Sequence, residues 1–271
     1  MKVAAIQMVS CTRLADNLRA AHALLAEAAQ GGAELAVLPE YFCVMGQRDT
    51  DKLALQELLG KGPIQDWLAA TARELGLWIV GGTLPLACSD QERVRNSTLA
   101  YSPAGQRVAR YDKVHLFRLA HGDEQIDETR TIEPGGDPVQ LHLTDRSGRA
   151  WCVGLSICYD LRFPEFYRLH ALAGADLLVV PAAFTWTTGS AHWEVLLRAR
   201  AIENQAYVLA AAQGGRHENG RRTWGHSLVA DPWGTVLQAL PEGAGVVLAD
   251  ADPERLAQVR RQLPALGHRV F

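Results

Sequence analysis

The cysteines of this chain lack the pattern of a disulfide framework or a structural zinc site. They are odd in number, scattered, and without a Cys-x-x-Cys pair: Cys11, Cys43, Cys88, Cys152 and Cys158. Disulfide-rich secreted domains carry even sets of cysteines, and structural zinc sites need clustered ligands. We therefore expect free thiols in a reducing compartment, the cytoplasm.

The chain also lacks long apolar runs and an excess of charge of one sign. No uninterrupted apolar segment approaches the ~20 residues that a membrane-spanning helix needs. The first residues, Met1 to Gln7, read directly as a strand and carry no basic leader. The net charge of −3 over 271 residues gives no electrostatic reason to bind nucleic acid or a membrane surface. We expect neither of these partners.

Linkers and metal-binding motifs are missing as well. No Ser/Gly/Pro-rich stretch or block of charge divides the sequence, and 48% of its residues are hydrophobic. This composition predicts one domain over residues 1–271 with a substantial core. No His-Glu-x-x-His pattern occurs, so the sequence does not predict metal-dependent hydrolysis, and we expect no metal or other cofactor.

Strand and helix patterns alternate along the whole chain, which predicts an α/β fold. Five segments are predicted as helices from their Ala/Leu content, opening prolines or closing glycines: Leu14 to Gln30, Pro63 to Leu75, Pro164 to Leu172, Ala191 to Gln205 and Pro253 to Leu263. Two helix–strand units are similar, since Gly32 to Pro39 and Gly174 to Pro181 share a Gly-Ala-acid-Leu start and a proline end. This echo favours two α/β layers facing each other, although any helix–Gly–strand connection can produce it.

Three ionisable residues stand where buried strands are predicted to end. Cys158 ends the apolar segment Ala150 to Ile157 and precedes a helix that Pro164 opens, while Glu40 and Lys113 each follow a predicted strand. A helix N-terminus near a thiol favours the thiolate, which is the nucleophilic form. A thiol, a carboxylate and an amine at three strand ends form a candidate catalytic group.

Ser156 is the alternative nucleophile. The run Gly154-Leu-Ser-Ile-Cys158 is similar to the Gly-x-Ser-x-Gly elbow of serine hydrolases. The final glycine of that elbow, which permits its strained turn, is replaced here by Cys158, and we therefore prefer the thiol.

Three segments carry a family resemblance, in the same order as in the family and over nearly the whole chain. They are Leu38-Pro-Glu-Tyr41, Tyr111-Asp-Lys-Val-His-Leu-Phe117 and Ile157-Cys-Tyr-Asp-Leu-Arg-Phe-Pro-Glu165. Together they resemble the signature motifs of the nitrilase, or carbon–nitrogen hydrolase, superfamily. The resemblance implies a four-layer α-β-β-α sandwich that hydrolyses non-peptide C–N bonds through a cysteine acyl-enzyme.

The resemblance and the chemistry of amide hydrolysis give these residues the same roles. Cys158 is the nucleophile, and Glu40 is the base that later protonates the leaving amine and activates water. Lys113 supplies positive charge to the tetrahedral oxyanion, and the backbone N–H of Tyr159 is a second candidate donor.

Further site residues are predicted by resemblance. Glu128 resembles a second family glutamate, which lies beside the lysine and helps to hold the substrate, and Glu133 is its competitor for that role. Asn96 and Phe117 are expected in the pocket wall.

Two later segments narrow the resemblance within the superfamily. Ala191 to Gln205 and Trp224 to Gly234 resemble the amidase branch, which contains deaminated-glutathione amidase and omega-amidase, more than the nitrile-cleaving branch. The resemblance implies an amide substrate that bears a carboxylate, with deaminated glutathione as first choice and α-ketoglutaramate as the alternative. A carbamoylase, a true nitrilase and a catalytically silent interaction protein remain as other interpretations.

A basic loop and two helices suggest how substrate and a second subunit bind. Gly214 to Arg222 follows a predicted strand, so Arg221 and Arg222 should lie at a rim and attract substrate carboxylates. A solvated basic loop is an equally good interpretation. The resemblance further implies a homodimer, or a higher homo-oligomer, that pairs through Pro164 to Leu172 and Ala191 to Gln205.

Overall fold

Helices and strands alternate in the computed structural model, which describes residues 1–122 and 124–270. The helices are α1 (Leu14–Gln30), α2 (Pro63–Leu75), α3 (Pro164–Leu172), α4 (Trp186–Asn204) and α5 (Pro253–Gln262). Prolines occupy the first turns of α2, α3 and α5, where a missing backbone N–H costs nothing. Gly76 ends α2 in the left-handed conformation, at φ 63°.

Seventeen strands lie within the described residues. In chain order they are β1 (Lys2–Gln7), β2 (Leu35–Val37), β3 (Trp78–Val80), β4 (Leu84–Ala87), β5 (Val94–Tyr101), β6 (Arg107–Asp112), β7 (Arg118–His121), β8 (Glu124–Asp127), β9 (Val139–Thr144), β10 (Ala150–Leu155), β11 (Leu177–Ala182), β12 (Tyr207–Ala212), β13 (Gly214–Arg216), β14 (Arg222–Trp224), β15 (Ser227–Ala230), β16 (Val236–Leu240) and β17 (Gly245–Asp250).

Most of these strands form two mixed sheets. The first has the order β17-β1-β2-β3-β5-β4, with β6 also paired to β5, and the second has the order β16-β15-β12-β11-β10-β9. At the centre of each sheet the strands run parallel: β1, β2 and β3 in the first, and β10, β11 and β12 in the second. The hairpins β7–β8 and β13–β14 stand outside both sheets.

The two sheets pack face to face, and helices cover their outer faces. Alternate residues of β1 show this, because Val3 and Ala5 join a core shared with the second sheet, whereas Ala4 and Ile6 join a core formed with α1 and α2. Side chains of a strand alternate between faces, so a strand that is apolar throughout must be covered on both sides. With α3 and α4 on the second sheet, the expected four-layer α-β-β-α sandwich results.

The two similar helix–strand segments of the sequence occupy equivalent positions in the two sheets. The segment 32–39 contains β2 and the segment 174–181 enters β11, and each of these strands pairs in parallel with both of its neighbours. The interpretation of two similar α/β layers therefore agrees with the structure.

Several boundaries differ from those predicted. Helix α4 begins at Trp186, five residues earlier than expected, with Thr185 as its N-cap. The strand before Cys158 ends at Leu155 rather than Ile157, and the hairpin β7–β8 was not predicted. The expectation of a single domain over residues 1–271 stays a prediction.

All five cysteines are free thiols. Within residues 1–122 and 124–270, no helix is both long enough and apolar enough to span a bilayer.

Candidate active site

Cys158 lies three residues beyond the end of β10, at the start of a short 3₁₀ turn, Cys158–Arg162. Its backbone is left-handed, at φ 49°, and the residue is only 6% exposed. A non-glycine residue rarely adopts this conformation, and it persists only when surrounding contacts impose it.

Asp160 supplies those contacts. Its fully buried carboxylate accepts hydrogen bonds from the Ile157 N–H at 2.8 Å and the Tyr111 hydroxyl at 2.6 Å. The other oxygen lies 3.1 Å from the backbone nitrogen of His115 and 2.7 Å from its Nδ1. Because Tyr111 and His115 flank Lys113 in the chain, Asp160 ties the cysteine turn to the segment that carries the lysine.

Lys113 follows β6 directly and is fully buried between two carboxylates. Its Nζ lies 2.8 Å from Oε1 of Glu40, and 3.0 and 2.8 Å from the two oxygens of Glu128. Burial would lower the pKa of Lys113, but the negative charges of Glu128 and Glu40 outweigh it and raise that pKa well above its usual value. The ammonium therefore keeps its charge.

Glu40 follows β2 and receives hydrogen bonds from both sheets. Its Oε1 accepts from Asn96 Nδ2 at 2.9 Å as well as from Lys113, and its Oε2 accepts from the Ala183 N–H at 3.1 Å, just past β11. Gly82 allows this close packing, since a Cβ atom there would lie 2.2 Å from the carbonyl oxygen of Pro39. Burial, with the charge of Glu128, raises the pKa of Glu40 against the opposing effect of Lys113.

Glu128 lies at the end of β8 and remains ionised more readily than Glu40. It accepts hydrogen bonds from the Tyr41 hydroxyl at 2.8 Å and the Phe117 N–H at 2.7 Å, in addition to Lys113. Burial would raise its pKa, but Lys113 and the Phe117 N–H lower it overall. The competitor Glu133 pairs instead with Arg95 and does not line the cavity.

The thiol of Cys158 shares the cavity with the Glu40 carboxylate, which disfavours its ionisation. Burial, followed by the charge of Glu40, raises its pKa well above the usual value, and Lys113 opposes the shift without reversing it. Burial and the neighbouring carboxylate thus oppose the thiolate that a helix N-terminus is expected to favour. A nucleophile in this state needs a base at the moment of attack.

Some of these residues line a cavity of about 580 Å³, whereas Lys113 and Asp160 lie behind its wall. Cys158, Glu40, Glu128 and Phe117 line it, and the ring of Tyr159 packs edge-on against Phe117 with centroids 5.1 Å apart. Asn96 does not line this cavity but lies behind Glu40, so the structure gives it a contact with the carboxylate rather than a place in the wall.

Arg221 and Arg222 also line the cavity, yet both are engaged with other side chains. Arg221 forms an ion pair with Asp49, while Arg222 lies 3.2 Å above the centroid of the Trp186 ring and 3.6 Å from Glu242. Sequence reasoning missed Lys52 and Asp49, which line the same cavity but belong to no motif.

The alternative nucleophile Ser156 has no access to the cavity. It is fully buried, and its Oγ lies 2.7 Å from the carbonyl oxygen of Val179 and 2.6 Å from the Tyr167 hydroxyl. The geometry thus presents one nucleophile, a carboxylate with a raised pKa beside it, and a permanently charged ammonium, which is a set suited to acyl transfer.

Residues 2–261 match the family model of the carbon-nitrogen hydrolases. Deaminated glutathione amidase of Synechocystis sp. PCC 6803 is 42% identical over 270 residues, covering 99% of this chain and 97% of that protein. Omega-amidase NIT2 of Xenopus tropicalis is 35% identical over 265 residues, covering 97% and 92%.

Solved structures agree with these relatives. Nit3 of Saccharomyces cerevisiae, a member of the nitrilase superfamily, superposes with a TM-score of 0.88 at 28% identity, covering 100% of this chain and 97% of Nit3. An amidase of Nesterenkonia sp. AN1 superposes with a TM-score of 0.79 at 27% identity, covering 97% and 98%. In that structure a Glu-to-Gln variant carries acrylamide added to the active-site cysteine.

Proposed function

This chain belongs to the carbon-nitrogen hydrolase family and is an amidase, and we propose that it acts through an acyl-enzyme on Cys158. The observation that carries the proposal is the grouping of three residues at one cavity: Cys158 and Glu40 line it, and Lys113 is buried behind Glu40. The charge of Glu40 acts on the Cys158 thiol, and Glu40 lies 2.8 Å from the ammonium of Lys113. The acrylamide adduct on the cysteine of the Nesterenkonia amidase supports a thiol nucleophile.

In the first half-reaction Glu40 takes the proton of the thiol as sulfur attacks the amide carbon. Negative charge moves to the carbonyl oxygen, and Lys113 and the backbone N–H of Tyr159 are the proposed donors to it. The C–N bond then breaks, and Glu40 passes its proton to the departing amine. A thioester on Cys158 remains.

The second half-reaction hydrolyses that thioester. Water enters where the amine left, Glu40 takes one of its protons, and the oxygen attacks the acyl carbon. Collapse of the intermediate breaks the C–S bond and returns the proton to sulfur, which restores Cys158 and releases the acid. Glu128 holds Lys113 in place throughout, through the contacts at 3.0 and 2.8 Å.

The proposed substrate is deaminated glutathione, in which an amide joins the distal carboxyl of an α-keto acid to a dipeptide. The 42% identical Synechocystis relative carries this activity in its name. Both halves of such a substrate bear carboxylates, and cationic side chains line the cavity. Omega-amidase activity on α-ketoglutaramate is the second candidate, because the Xenopus relative is named for it.

A substrate panel tests the proposal. We expect deaminated glutathione to have the highest kcat/KM, above α-ketoglutaramate, simple aliphatic amides, carbamoyl compounds and nitriles. If kcat/KM for α-ketoglutaramate is at least as high as that for deaminated glutathione, the protein is an omega-amidase. If only a nitrile or a carbamoyl compound is turned over, both amidase proposals are wrong. No turnover of any compound favours a silent interaction protein.

Mass spectrometry of protein quenched during turnover should place the acyl group on Cys158. Cys158→Ala should abolish activity, whereas Cys152→Ala is the matched control, because that partly exposed thiol lies outside the cavity. Full activity of the Cys158→Ala protein overturns the mechanism.

We also propose a cytoplasmic homodimer. The five unpaired thiols support a reducing compartment. Exposed apolar side chains on α3 and α4 support association through these helices, and they include Leu169, Leu172, Val195 and Ile202. If cell fractionation finds the activity in the membrane pellet, the proposed cytoplasmic location is wrong.

A further inference from the structure

Lys52 is a cation on the cavity wall that no carboxylate satisfies. It lies in a short 3₁₀ helix, Asp51–Leu55, and its Nζ donates to the neutral Thr131 hydroxyl at 3.2 Å. The ring of Tyr41 lies 5.5 Å away. Across residues 1–122 and 124–270, Lys52 takes part in no ion pair within 4.0 Å, so its charge is available to a ligand.

The two arginines of the same cavity differ from Lys52 in this respect. Arg221 is paired with Asp49, and Arg222 is stacked on Trp186 beside Glu242. Their side chains are also 42% and 37% exposed, so solvent screens their charges. Lys52 is the cation whose charge an anionic ligand would neutralise without first breaking an ion pair.

The charges around Lys52 also favour binding of an anionic ligand. Burial lowers its pKa, and the charges of Glu128 and Asp49 offset this effect only in part. Arg221 and Lys113 lower it further by repulsion. A partly buried ammonium with a hydroxyl as its hydrogen-bond partner gains more from a bound carboxylate than a solvated one does.

The position of Lys52 identifies which end of a substrate it would meet. It lies near the ring of Tyr41, and the Tyr41 hydroxyl donates a hydrogen bond to Glu128. Glu128 in turn holds Lys113 beside Glu40. The leaving amine must depart towards solvent while the acyl part stays on Cys158. The charge of Glu128 acts on Lys52 more strongly than the charge of Arg221, which lines a smaller pocket together with Lys52 and Asp49.

We propose that Lys52 binds the carboxylate at the far end of the acyl group and so selects ω-amides of dicarboxylic acids. The inference rests on the proposed amidase function and deepens it. Arg221 and Arg222 are left for the carboxylate of the departing amine. Acyl groups without a terminal carboxylate bind less well, because the ammonium then stays buried without an anion.

Binding to the Cys158→Ala protein tests this without turnover. Glutaric acid monoamide and glutaramide are matched ligands, since a neutral carboxamide of similar size replaces the carboxylate in the second. Isothermal titration calorimetry should show tighter binding of the monoamide by roughly 10- to 100-fold, the range of a charged hydrogen bond. The added Lys52→Met change should abolish that preference.

Lys61→Met is the control, because Lys61 is exposed and does not line the cavity. It should leave the preference intact. Lys52→Gln replaces Lys52→Met if the methionine variant does not fold. A monoamide preference that survives both Lys52 changes, or that is absent when Lys52 is present, overturns the proposal.

The outcomes separate this inference from the proposed function. If the wild-type enzyme hydrolyses none of the carboxylated amides, the proposed substrate is wrong, yet a Lys52-dependent preference in binding still supports the carboxylate site. If those amides are hydrolysed and the preference does not depend on Lys52, the function stands and the Lys52 assignment fails.

Discussion

Two buried glutamates share one lysine, and their surroundings push their pKa values apart. Glu128 accepts from Lys113, the Tyr41 hydroxyl and the Phe117 N–H, and its pKa is lowered. Glu40 faces the Cys158 thiol, and burial raises its pKa. Two carboxyl groups whose environments separate their pKa values divide the work of catalysis. We therefore expect Glu128 to stay the counter-ion of Lys113 and Glu40 to be the group that exchanges protons.

The Glu40→Gln variant should lose turnover by roughly 10²- to 10⁴-fold, the usual contribution of a general base. In the wild-type enzyme kcat/KM should fall as pH decreases through the raised pKa of Glu40, because the protonated form cannot accept the thiol proton. The acid limb should thus lie at higher pH than an ordinary glutamate would give. In the variant this limb should disappear from the residual activity.

Glu133→Gln is the matched control for that change. Glu133 competed with Glu128 in the sequence, but it pairs with Arg95 away from the cavity. Its pH profile should equal that of the wild type. Near-normal turnover with an unchanged acid limb in Glu40→Gln means that Glu40 is not the base.

At the level of the elements, the turn after β10 depends on one carboxylate. Asp160 accepts hydrogen bonds from Ile157, Tyr111 and His115, which fix the left-handed backbone of Cys158. Asp160→Asn places an amide donor among these donors and leaves at least one unsatisfied, at a cost of about 1–3 kcal/mol. We expect slower turnover, by roughly tenfold or more, since misplaced reacting atoms lose rate steeply.

Asp145→Asn is the control that distinguishes loss of Cys158 positioning from loss of protein stability. Asp145 is also buried and holds a turn, between β9 and β10, by accepting from Ser147, Arg149 and Trp151. That turn precedes β10, whereas Cys158 follows it. Both variants should lower the melting temperature, but only Asp160→Asn should slow turnover and alkylation of Cys158 by iodoacetamide. Equal loss of activity in both contradicts a positioning role.

Element boundaries were predictable where local chemistry marks them. Opening prolines and closing glycines gave α2, α3 and the end of α1. Helix α4 begins before its apolar pattern, because the Thr185 cap and a Gly/Ser/Thr-rich first turn precede Ala191. The hairpin β7–β8 carries mostly polar residues, none of them buried, so no alternation of apolar and polar residues predicted it.

The candidate site was predictable to the same extent and for a similar reason. Glu40, Lys113 and Cys158 each follow a strand, and the ends of strands in facing sheets meet at one edge. Asp49 lies in a loop and Lys52 in the short 3₁₀ helix that follows it, and only the tertiary fold brings them to the cavity. The neutral state of the Cys158 thiol likewise depends on burial and on Glu40, neither of which the local sequence specifies.

For the whole molecule, the sandwich leaves an apolar strip on its outer helices. Leu169 and Leu172 stand three residues apart on α3, and Val195 and Ile202 stand seven apart on α4, so each pair lies on one helix face. The two helices pack against each other. A symmetric dimer would cover this strip with the same strip of a second copy, which is an isologous contact.

Sedimentation velocity at micromolar concentration should therefore give a species of twice the 29.6 kDa chain mass. Leu172→Glu combined with Val195→Glu should convert it to the monomer, because buried like charges would face each other across the two-fold axis. These residues are 64% and 62% exposed in one chain, so the substitutions should leave the fold of the monomer intact. Leu58→Glu, at 63% exposed but outside α3 and α4, is the matched control and should stay dimeric. A wild-type monomer, or a dimer that persists in the double variant, contradicts assembly through these helices.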